Sequence, residues 1–302
     1  MLKILVTDGM DKGAVQTLKG LGHEVIEQFF EPEELKEQVK NFNVIIVRSA
    51  TNVRKEIIDS ALQTGNLKLI IRGGVGVDNI DVTYAESKGI KVRNTPKASS
   101  SAVAELTLGH IFCLARFIRI ANITIREGKW NKKQYKGIEL SGKTLGLIGF
   151  GRIGRELAKK AKALEMKVIY NDILGPAKDC PEYSFVSLDE LLADSDFISL
   201  HVPGNKDKSP VISKAEFTKM KDGAFLINCA RGSVVDEAAL LEALNSGKIA
   251  GAGIDVFPEE PPQNLELIRH EKISVTPHIG ASTKEAQKRI GAEIVSIIKE
   301  NI

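Results

Sequence analysis

The fold is decided by the stretch Leu145–Gly154, which reads LGLIGFGRIG. An apolar strand pattern leads into Gly149-x-Gly151-x-x-Gly154, and a helical pattern follows as far as Leu164. The three glycines suit a tight turn, a close backbone approach to a pyrophosphate, and close packing of the helix on the strand. The first N–H groups of that helix would face the phosphates. The stretch therefore predicts a dinucleotide-binding unit, and the alternative is an ordinary strand–helix turn.

The next predicted strand ends in an acid that fits the same unit. Asp172 lies about 20 residues beyond the glycines, where a ribose-binding carboxylate is expected. A carboxylate there accepts hydrogen bonds from ribose hydroxyls and repels the extra phosphate of NADP, which predicts NAD as the cofactor. The alternative is that Asn171 and Asp172 simply form the turn at the strand end.

Short apolar runs alternate with helical patterns on both sides of the glycine stretch, which predicts parallel sheets with crossover helices. The runs are Lys3–Thr7, Val44–Val47, Leu67–Ile71, Thr144–Ile148, Lys167–Asn171, Asp196–Leu200, Ala224–Asn228, Ala252–Asp255 and Ile273–Val275. The stretch Ser99–Ile120 contains no Gly or Pro except Gly109 and predicts one long helix, and Thr283–Glu300 predicts a closing helix. Each half of the chain is therefore expected to be a doubly wound unit.

Composition indicates a globular protein of two domains, since the chain has 302 residues, of which 43% are hydrophobic and 27% charged. The net charge of +3 gives no support to a nucleic-acid or membrane partner. Cys113, Cys180 and Cys229 are far apart, which argues against a disulfide framework and against a zinc site. The start MLKILVTDGM resembles a strand rather than a signal peptide, so we expect a cytoplasmic protein.

If the predicted dinucleotide unit serves hydride transfer from a small hydroxy acid, the site needs a cation for the carboxylate, a group that accepts the hydroxyl proton, and a neighbour that tunes the pKa of this group. Arg231 follows the run Ala224–Asn228, and ligands of open α/β sheets bind outside the carboxyl ends of the strands. Its planar guanidinium can bind a carboxylate through two hydrogen bonds. The alternative for Arg231 is a surface salt bridge.

Two of the five histidines follow predicted strands and are candidates for the acid–base group. His278 precedes Gly280, where a side chain can face a cleft, and His201 is its rival. His110 lies within the predicted long helix, so we expect it to serve packing.

An acidic loop follows the run Ala252–Asp255 and contains Glu259 and Glu260 between prolines. A carboxylate beside His278 would hold one tautomer of the imidazole and stabilise its charged form. The residues themselves do not choose between the two glutamates, and a solvated acidic loop is the alternative.

Four motifs in this order resemble the D-isomer-specific 2-hydroxyacid dehydrogenases: GFGRIGRELAKKAKALEMKVIYND, NCARGSVVDEAALLEAL, GIDVFPEEPP and TPHIGASTKEAQ. The resemblance covers essentially the whole chain and is closest to the branch that oxidises 3-phospho-D-glycerate. It implies a catalytic set of Arg231, Glu260 and His278. By this analogy Glu260 is preferred over Glu259, and His278 over His201.

The resemblance also implies the contacts with NAD and with the substrate. The NAD contacts would be Val75, Gly149, Gly151, Arg152, Ile153, Gly154, Asp172, His201, Val202, Cys229, Ala230, Arg231, Asp255, His278, Gly280 and Ala281. The substrate contacts would be Arg48, Ser49, Gly73, Gly74, Arg231 and His278. Asp255 would bond the nicotinamide carboxamide, and the alternative is a strand-end cap.

The glycine pair can present backbone N–H groups to the substrate carboxylate, and Arg48 is expected to bind a phosphate. Some phosphoglycerate-oxidising relatives carry a second arginine where this chain has Ala50. The phosphate site is therefore the part of the chain that departs from the pattern of the resemblance.

The implied fold is α/β, with two doubly wound parallel-sheet domains and a Rossmann cofactor domain inserted in a flavodoxin-like substrate domain. Residues 1–95 and 281–302 would form the substrate domain, and residues 96–280 the NAD-binding domain. The long helix would build a homodimer through the cofactor domains. Longer relatives append serine-binding regulatory domains, which we do not expect in a sequence that ends at Ile302.

The expected partner is therefore a small anionic 2-hydroxy or 2-oxo acid, with no metal required. The leading hypothesis is NAD-dependent oxidation of 3-phospho-D-glycerate to 3-phosphooxypyruvate, the entry step to serine. A glyoxylate or hydroxypyruvate reductase with the same machinery is the first alternative. A non-enzymatic NAD-sensing protein is the second.

Overall fold

The computed structural model describes residues 1–205, 207 and 209–302, which divide into two compact units. The first unit comprises Met1–Ser99 together with Ala281–Ile302, and the second comprises Ser100–Gly280. The sequence prediction put the two boundaries after residues 95 and 280.

The first unit contains a five-stranded parallel sheet in the order β2-β1-β3-β4-β5, which is the flavodoxin-like order. Its strands are β1 (Lys3–Val6), β2 (Glu24–Glu27), β3 (Val44–Val47), β4 (Leu69–Arg72) and β5 (Lys91–Asn94). Its helices are α1 (Lys12–Gly20), α2 (Pro32–Gln38), α3 (Lys55–Leu62), α4 (Val82–Ser87) and the C-terminal helix Lys284–Asn301.

Helices cover both faces of this sheet, which explains why its central strand is apolar at every position. Ile45 and Val47 of β3 pack into one hydrophobic cluster with α2 and α3. Val44 and Ile46 point the other way and pack with α1 and the C-terminal helix. Successive side chains of a strand alternate between the faces, so two buried faces require a continuous apolar run.

The second unit contains a seven-stranded parallel sheet in the order β12-β11-β10-β9-β6-β7-β8. Its strands are β6 (Thr144–Ile148), β7 (Lys167–Asn171), β8 (Ser184–Phe185), β9 (Phe197–Leu200), β10 (Ala224–Asn228), β11 (Ile249–Ile254) and β12 (Ile273–Val275). Its helices are α5 (Ser100–Ala115), α6 (Ile118–Arg126), α7 (Arg152–Ala163), α8 (Leu188–Asp194), α9 (Lys214–Lys219), α10 (Glu237–Asn245) and α11 (Leu265–Arg269).

This order is the Rossmann order with one further strand at the β12 edge, and the strand order reverses at β6. Ile227 of β10 packs with α5 and α7 on one face, whereas Leu226 packs with α9 and α10 on the other. The prediction of two doubly wound parallel sheets is confirmed. The reversal places the glycine turn after β6 where ligands of such sheets bind.

The prediction of one long helix over Ser99–Ile120 is wrong. Helix α5 ends at Ala115, Phe117 takes a left-handed conformation with φ of 55°, and α6 begins at Ile118 with its axis turned by 62°. The backbone N–H of Ile138 donates to the Ala115 carbonyl at 2.9 Å, an acceptor that a continuing helix would use itself.

Among the described residues, no single helix has both the length and the apolar character needed to cross a membrane. In the part of the chain that the structure describes, one bent pair, α5 with α6, meets both criteria when the two helices are taken together.

Candidate active site

The turn after β6 has the geometry that the glycine spacing predicts. Gly149 has φ of 94°, and a Cβ atom there would lie 2.5 Å from the carbonyl oxygen of His201. A Cβ atom on Gly154 would lie 2.5 Å from the carbonyl oxygen of Gly149, so helix α7 packs directly on the turn. A Cβ atom on Gly151 would meet nothing within 4 Å. Two glycines therefore close the turn, and the third leaves open space beside its backbone.

The amino end of α7 adjoins this open space. Gly151 occupies the N-cap position, and no side chain described by the structure caps the helix. The first N–H groups of α7 are thus left for an external acceptor, and the helix dipole favours an anion there. The turn fits the pyrophosphate of a dinucleotide.

Asp172 is attached to the same turn. One carboxylate oxygen accepts the N–H of Phe150 at 2.7 Å, and the other accepts the N–H of Leu174 at 2.9 Å. Two oxygens can accept about four hydrogen bonds. Asp172 therefore retains acceptor capacity for ribose hydroxyls, as the sequence analysis expects.

His201 and Val202 form the wall behind Gly149, where a Cβ atom would lie 2.9 Å from Cγ1 of Val202. His201 as a residue is half-buried, but its ring is enclosed, and burial lowers the pKa of the imidazole to about 4. Its Nε2 lies 3.0 Å from the hydroxyl of Ser199, and its buried Nδ1 has no hydrogen-bond partner among the described residues. The ring therefore stays neutral near pH 7, and its hydrogen-bond partner within the described residues is a hydroxyl rather than a carboxylate.

The loop that carries Arg231 is held by the last residue of β10. The Asn228 side chain accepts the N–H of Ala230 at 3.0 Å and donates to the carbonyl of Arg231 at 2.9 Å. Gly232 lies so close to Phe257 and Pro258 that a Cβ atom would overlap their backbone. The Arg231 loop and the acidic loop after β11 therefore pack tightly together.

His278 is paired with Glu260. Its Nδ1 lies 2.8 Å from Oε2 of Glu260, and each side chain is 36% exposed. Glu260 also accepts the N–H of Phe257 at 3.2 Å. Because a carboxylate only accepts, Nδ1 carries the proton, and Nε2 of the neutral ring is left as the atom that can take another.

The charge environment of Glu260 matches this pairing. Partial burial is the largest single influence and raises the pKa of Glu260. The hydrogen bond and charge of His278, the Phe257 N–H and the Arg231 charge together outweigh it and lower the pKa. The net pKa lies below the ordinary value, so the carboxylate is ionised near neutral pH. Glu259 has no such contact with His278 among those the structure shows, so Glu260 is the acid that the fold brings to the imidazole.

Asp255 anchors the loop that carries His278. The residue is 1% exposed, and its carboxylate accepts from the Thr276 hydroxyl at 2.6 Å, from Ile279 N–H at 2.9 Å and from Gly280 N–H at 2.9 Å. Its carbonyl accepts the N–H of His278 at 2.8 Å. Asp255 therefore caps the end of its strand, and its expected contact with the nicotinamide carboxamide stays a prediction.

These contacts hold His278 in a conformation that it would otherwise seldom adopt. Its φ is 52°, in the left-handed region that costs a non-glycine residue energy. The surrounding hydrogen bonds offset that cost and direct the imidazole towards Glu260.

In the first unit, the loops that carry the expected substrate contacts lie side by side. Asp8 accepts the backbone N–H groups of Arg48 at 2.6 Å and of Thr51 at 3.1 Å, and Asn79 donates to the carbonyls of both residues. A Cβ atom on Gly73 would lie 3.5 Å from Cγ of Arg48. Ser49 is exposed, and so is Val75 of the next loop.

Comparison with known proteins decides the family. Residues 108–280 match the model for the NAD-binding domain of D-isomer specific 2-hydroxyacid dehydrogenases. The chain belongs to this family. Its members are NAD-dependent oxidoreductases, so the resemblance to this family and the prediction of NAD as the cofactor are confirmed.

The relatives of this dehydrogenase are named for different substrates. Hydroxypyruvate reductase of Thermotoga maritima is 48% identical over 99% of this chain and 98% of its own length. D-3-phosphoglycerate dehydrogenase of Methanocaldococcus jannaschii is 45% identical over 99% of this chain but only 57% of its own length. A crystal structure of a glyoxylate reductase from Paecilomyes thermophila has a TM-score of 0.90 at 31% identity, covering 99% of this chain and 94% of that one.

A cavity of about 460 Å³ lies beside the His278–Glu260 pair of the dehydrogenase. Its walls include Phe257, Pro261 and Val275, so the space next to the imidazole is largely apolar. Apolar walls exclude water from one side of the pair and strengthen the interaction between its charges.

Cys229 and Ala230 lie at the end of β10 and are both buried. Burial raises the pKa of the Cys229 thiol to about 12, and the nearby Asp255 charge adds to this, although a hydrogen bond with Thr107 opposes it. Cys229 is therefore a neutral thiol near pH 7.

The sequence analysis missed the residues that position the loops. Asp8 and Asn228 each lie at the carboxyl end of a strand, so the rule that nominated Arg231 and His278 would also have found them. Thr276 directly follows β12, so the same rule would have found it as well. Asn79 gives no comparable signal, because its role depends on contacts with residues distant in the chain.

Proposed function

We propose that this dehydrogenase oxidises 3-phospho-D-glycerate to 3-phosphooxypyruvate with NAD, and that it also runs the reverse reaction. The proposal is carried by the 2.8 Å pairing of His278 Nδ1 with Glu260, beside the tightly packed Arg231 loop. An acid–base group with one nitrogen fixed and a nearby guanidinium are what oxidation of a 2-hydroxy acid requires.

In the proposed mechanism, His278 Nε2 accepts the proton of the substrate hydroxyl. The glycine turn and Asp172 would hold NAD, which would supply the hydride acceptor for the carbon atom that carries this hydroxyl. Glu260 stabilises the imidazolium that forms, because its ionised carboxylate already accepts the proton on Nδ1. Arg231 binds the substrate carboxylate through its planar fork and polarises the neighbouring carbonyl in the reverse direction.

The surroundings of the Arg48 side chain in the first unit support a phosphorylated substrate. Asp8 and Asn79 hold its backbone, so the position of the residue is defined. Within the described part of the chain, no hydrogen bond or ion pair engages its guanidinium, although the residue is half-buried. We assign Arg48 and Ser49 to the phosphate.

The backbone N–H groups of Gly73 and Gly74 already donate to the carbonyls of Val47 at 2.8 Å and of Arg72 at 2.9 Å. The glycine pair would therefore bind the substrate carboxylate only by exchanging these hydrogen bonds.

Reduction of hydroxypyruvate is the second candidate, favoured by the Thermotoga maritima relative, which matches this chain over nearly its whole length. The same catalytic set would serve either substrate, since the two differ only at the phosphate. The assignment therefore depends on Arg48, because Ala50 provides no second cation.

The Arg48→Ala variant tests the choice between the two substrates. We expect kcat/KM for 3-phospho-D-glycerate and 3-phosphooxypyruvate to fall by about 10- to 100-fold, the usual value of a charged hydrogen bond, with little change for hydroxypyruvate. Arg54→Ala is the matched control, since Arg54 is an exposed arginine paired with Asp81. An equal effect of Arg48→Ala on both kinds of substrate would favour hydroxypyruvate.

The resemblance also leads us to propose a homodimer formed through the second unit, with the reaction feeding serine synthesis. Helix α6 supports the dimer, because none of its residues is buried and Ile118, Ile123 and Ile125 are exposed. Light scattering of Ile118→Lys should show a monomer where the wild type is a dimer.

Complementation of a serine auxotroph that lacks this enzyme tests whether the reaction feeds serine synthesis.

A further inference from the structure

A hydrogen-bond network of buried and half-buried polar side chains runs from helix α5 to the loop that carries His278. His110, on α5, is 2% exposed, and its Nδ1 lies 2.9 Å from the hydroxyl of Ser274. Its Nε2 lies 3.1 Å from the hydroxyl of Thr276, which in turn lies 2.6 Å from Oδ1 of Asp255. The sequence analysis expected His110 to serve packing alone, but both of its ring nitrogens are engaged.

Asp255, the last member of this network, determines the direction of every hydrogen bond in it. A carboxylate only accepts, so the Thr276 hydroxyl donates its one proton to Asp255. The Thr276 oxygen must then accept from Nε2–H of His110, which leaves Nδ1 to accept from the Ser274 hydroxyl. The ring is thus a neutral imidazole with a single defined tautomer. Burial lowers the pKa of His110 despite the opposing Asp255 charge, in agreement with a neutral ring.

The sheet is shaped to admit this imidazole. Gly253 of β11 faces His110, and a Cβ atom there would lie 2.7 Å from Cβ of His110. A side chain at this position would push α5 away from β11 and lengthen the contacts of the ring. The absence of a side chain at position 253 therefore permits the close approach on which the hydrogen bonds depend.

The network ends at the Asp255 carboxylate, whose oxygen atoms hold the backbone next to His278. Oδ1 of Asp255 accepts hydrogen bonds from the Thr276 hydroxyl and from the N–H of Ile279. Oδ2 accepts the N–H of Gly280. These two amides directly follow His278, whose own N–H donates to the Asp255 carbonyl. Rotation of the Asp255 carboxylate would break both amide contacts and release the left-handed conformation at His278.

We propose that His110 is a positioning residue of the dehydrogenase, acting through Thr276 and Asp255 to hold the His278 loop in its catalytic conformation. This inference rests on the proposed function for its effect on turnover, but its structural part is independent of any substrate. His110 restrains the Thr276 hydroxyl, the hydroxyl fixes the rotation of the Asp255 carboxylate, and the carboxylate holds the two amides that follow His278.

Substitution of His110 separates this role from simple packing. His110→Leu keeps an apolar side chain of similar size but removes the donor to Thr276, whereas His110→Gln retains an N–H at the end of the side chain. We expect kcat to fall about tenfold in His110→Leu, with the KM for NAD within about twofold of wild type, because misplacement of an acid–base group affects the chemical step. His110→Gln should recover kcat to within about threefold of wild type.

Ser274→Ala is the matched control. It removes a hydrogen bond from the same ring, but on the side that does not lead to Asp255. We expect kcat in Ser274→Ala to stay within about twofold of wild type. Thr276→Val should lower kcat as His110→Leu does, and the double variant should be no worse than Thr276→Val alone, because both changes interrupt one path.

Amide hydrogen exchange at Ile279 and Gly280 tests the same inference without a substrate. Protection of these two amides should fall in His110→Leu and persist in Ser274→Ala and His110→Gln. Unchanged protection in a folded His110→Leu protein, or equal loss of kcat in His110→Leu and His110→Gln, would overturn the positioning role. A wild-type protein with no turnover would instead contradict the proposed function, and exchange at the two amides would still decide the role of His110.

Discussion

Replacing Glu260 with glutamine changes the charge beside His278 and little else. The amide has the same shape as the carboxylate, and its oxygen can still accept from Nδ1, so the 2.8 Å contact can persist. The missing feature is the negative charge that stabilises the imidazolium as His278 takes the hydroxyl proton. We therefore expect Glu260→Gln to lower kcat while the KM for NAD changes little.

The size of this effect follows from the geometry of the pair. Unit charges 2.8 Å apart interact by about 1.5 kcal/mol at the dielectric constant of water and by about 6 kcal/mol at an effective value of 20. Both side chains are 36% exposed, so neither limit applies, and an intermediate value of about 3 kcal/mol is appropriate. This energy corresponds to a loss of about 100-fold in kcat.

Initial rates measured at saturating NAD and 3-phospho-D-glycerate would give this ratio. Glu259→Gln is the control, since it removes a neighbouring charge from the same exposed loop without touching His278, and it should keep kcat within about twofold of wild type. If Glu260→Gln retained more than half of wild-type kcat, or if both variants lost activity equally, the assignment of Glu260 as the partner of His278 would be wrong.

Three further predictions follow from the charges and burial of the second unit. Burial lowers the pKa of His201 to about 4, so this imidazole binds a proton more tightly in the unfolded chain than in the folded protein. The free energy of unfolding should therefore fall by about 2 kcal/mol as the pH is lowered from 7 to 4.5. Urea denaturation should show a weaker acid dependence in His201→Asn, and an identical dependence would refute the assignment. Because burial raises the pKa of Cys229 to about 12, iodoacetamide at pH 8 should spare it in the folded protein while reacting with the half-buried Cys113 and Cys180, as peptide mass spectrometry can show. Asp172→Asn keeps an acceptor for the turn but removes the charge, so the ratio of kcat/KM for NAD to that for NADP should fall at least about tenfold; an unchanged ratio would mean that Asp172 does not select the cofactor.

The sequence predicts the parts of the fold that are encoded locally. Val44–Val47 and Thr144–Ile148 are recognisable as buried strands because both faces of each sheet are covered by helices. The strands Glu24–Glu27 and Lys91–Asn94 were not predicted, because both lie at the edges of their sheet and carry charged residues. Their short polar patterns resemble those of loops.

Features set by distant contacts escape such reasoning. Nothing near Phe117 indicates a helix break, because the Ala115 carbonyl is taken by Ile138, more than 20 residues along the chain. The glycine turn and His278 could be nominated from strand ends alone. The choice of Glu260 over Glu259 needed the resemblance, because only the course of the proline-rich loop decides which carboxylate turns towards the imidazole.

One set of initial rates for the wild-type protein tests the proposed function most directly. The oxidation of NADH would be followed with 3-phosphooxypyruvate, hydroxypyruvate and glyoxylate in turn, and each rate would be repeated with NADPH. The account predicts turnover with NADH well above that with NADPH, and the highest kcat/KM for the phosphorylated substrate. A higher kcat/KM for hydroxypyruvate or glyoxylate would contradict the phosphate assignment, and absence of turnover with all three, while NADH still binds, would contradict the enzymatic function itself.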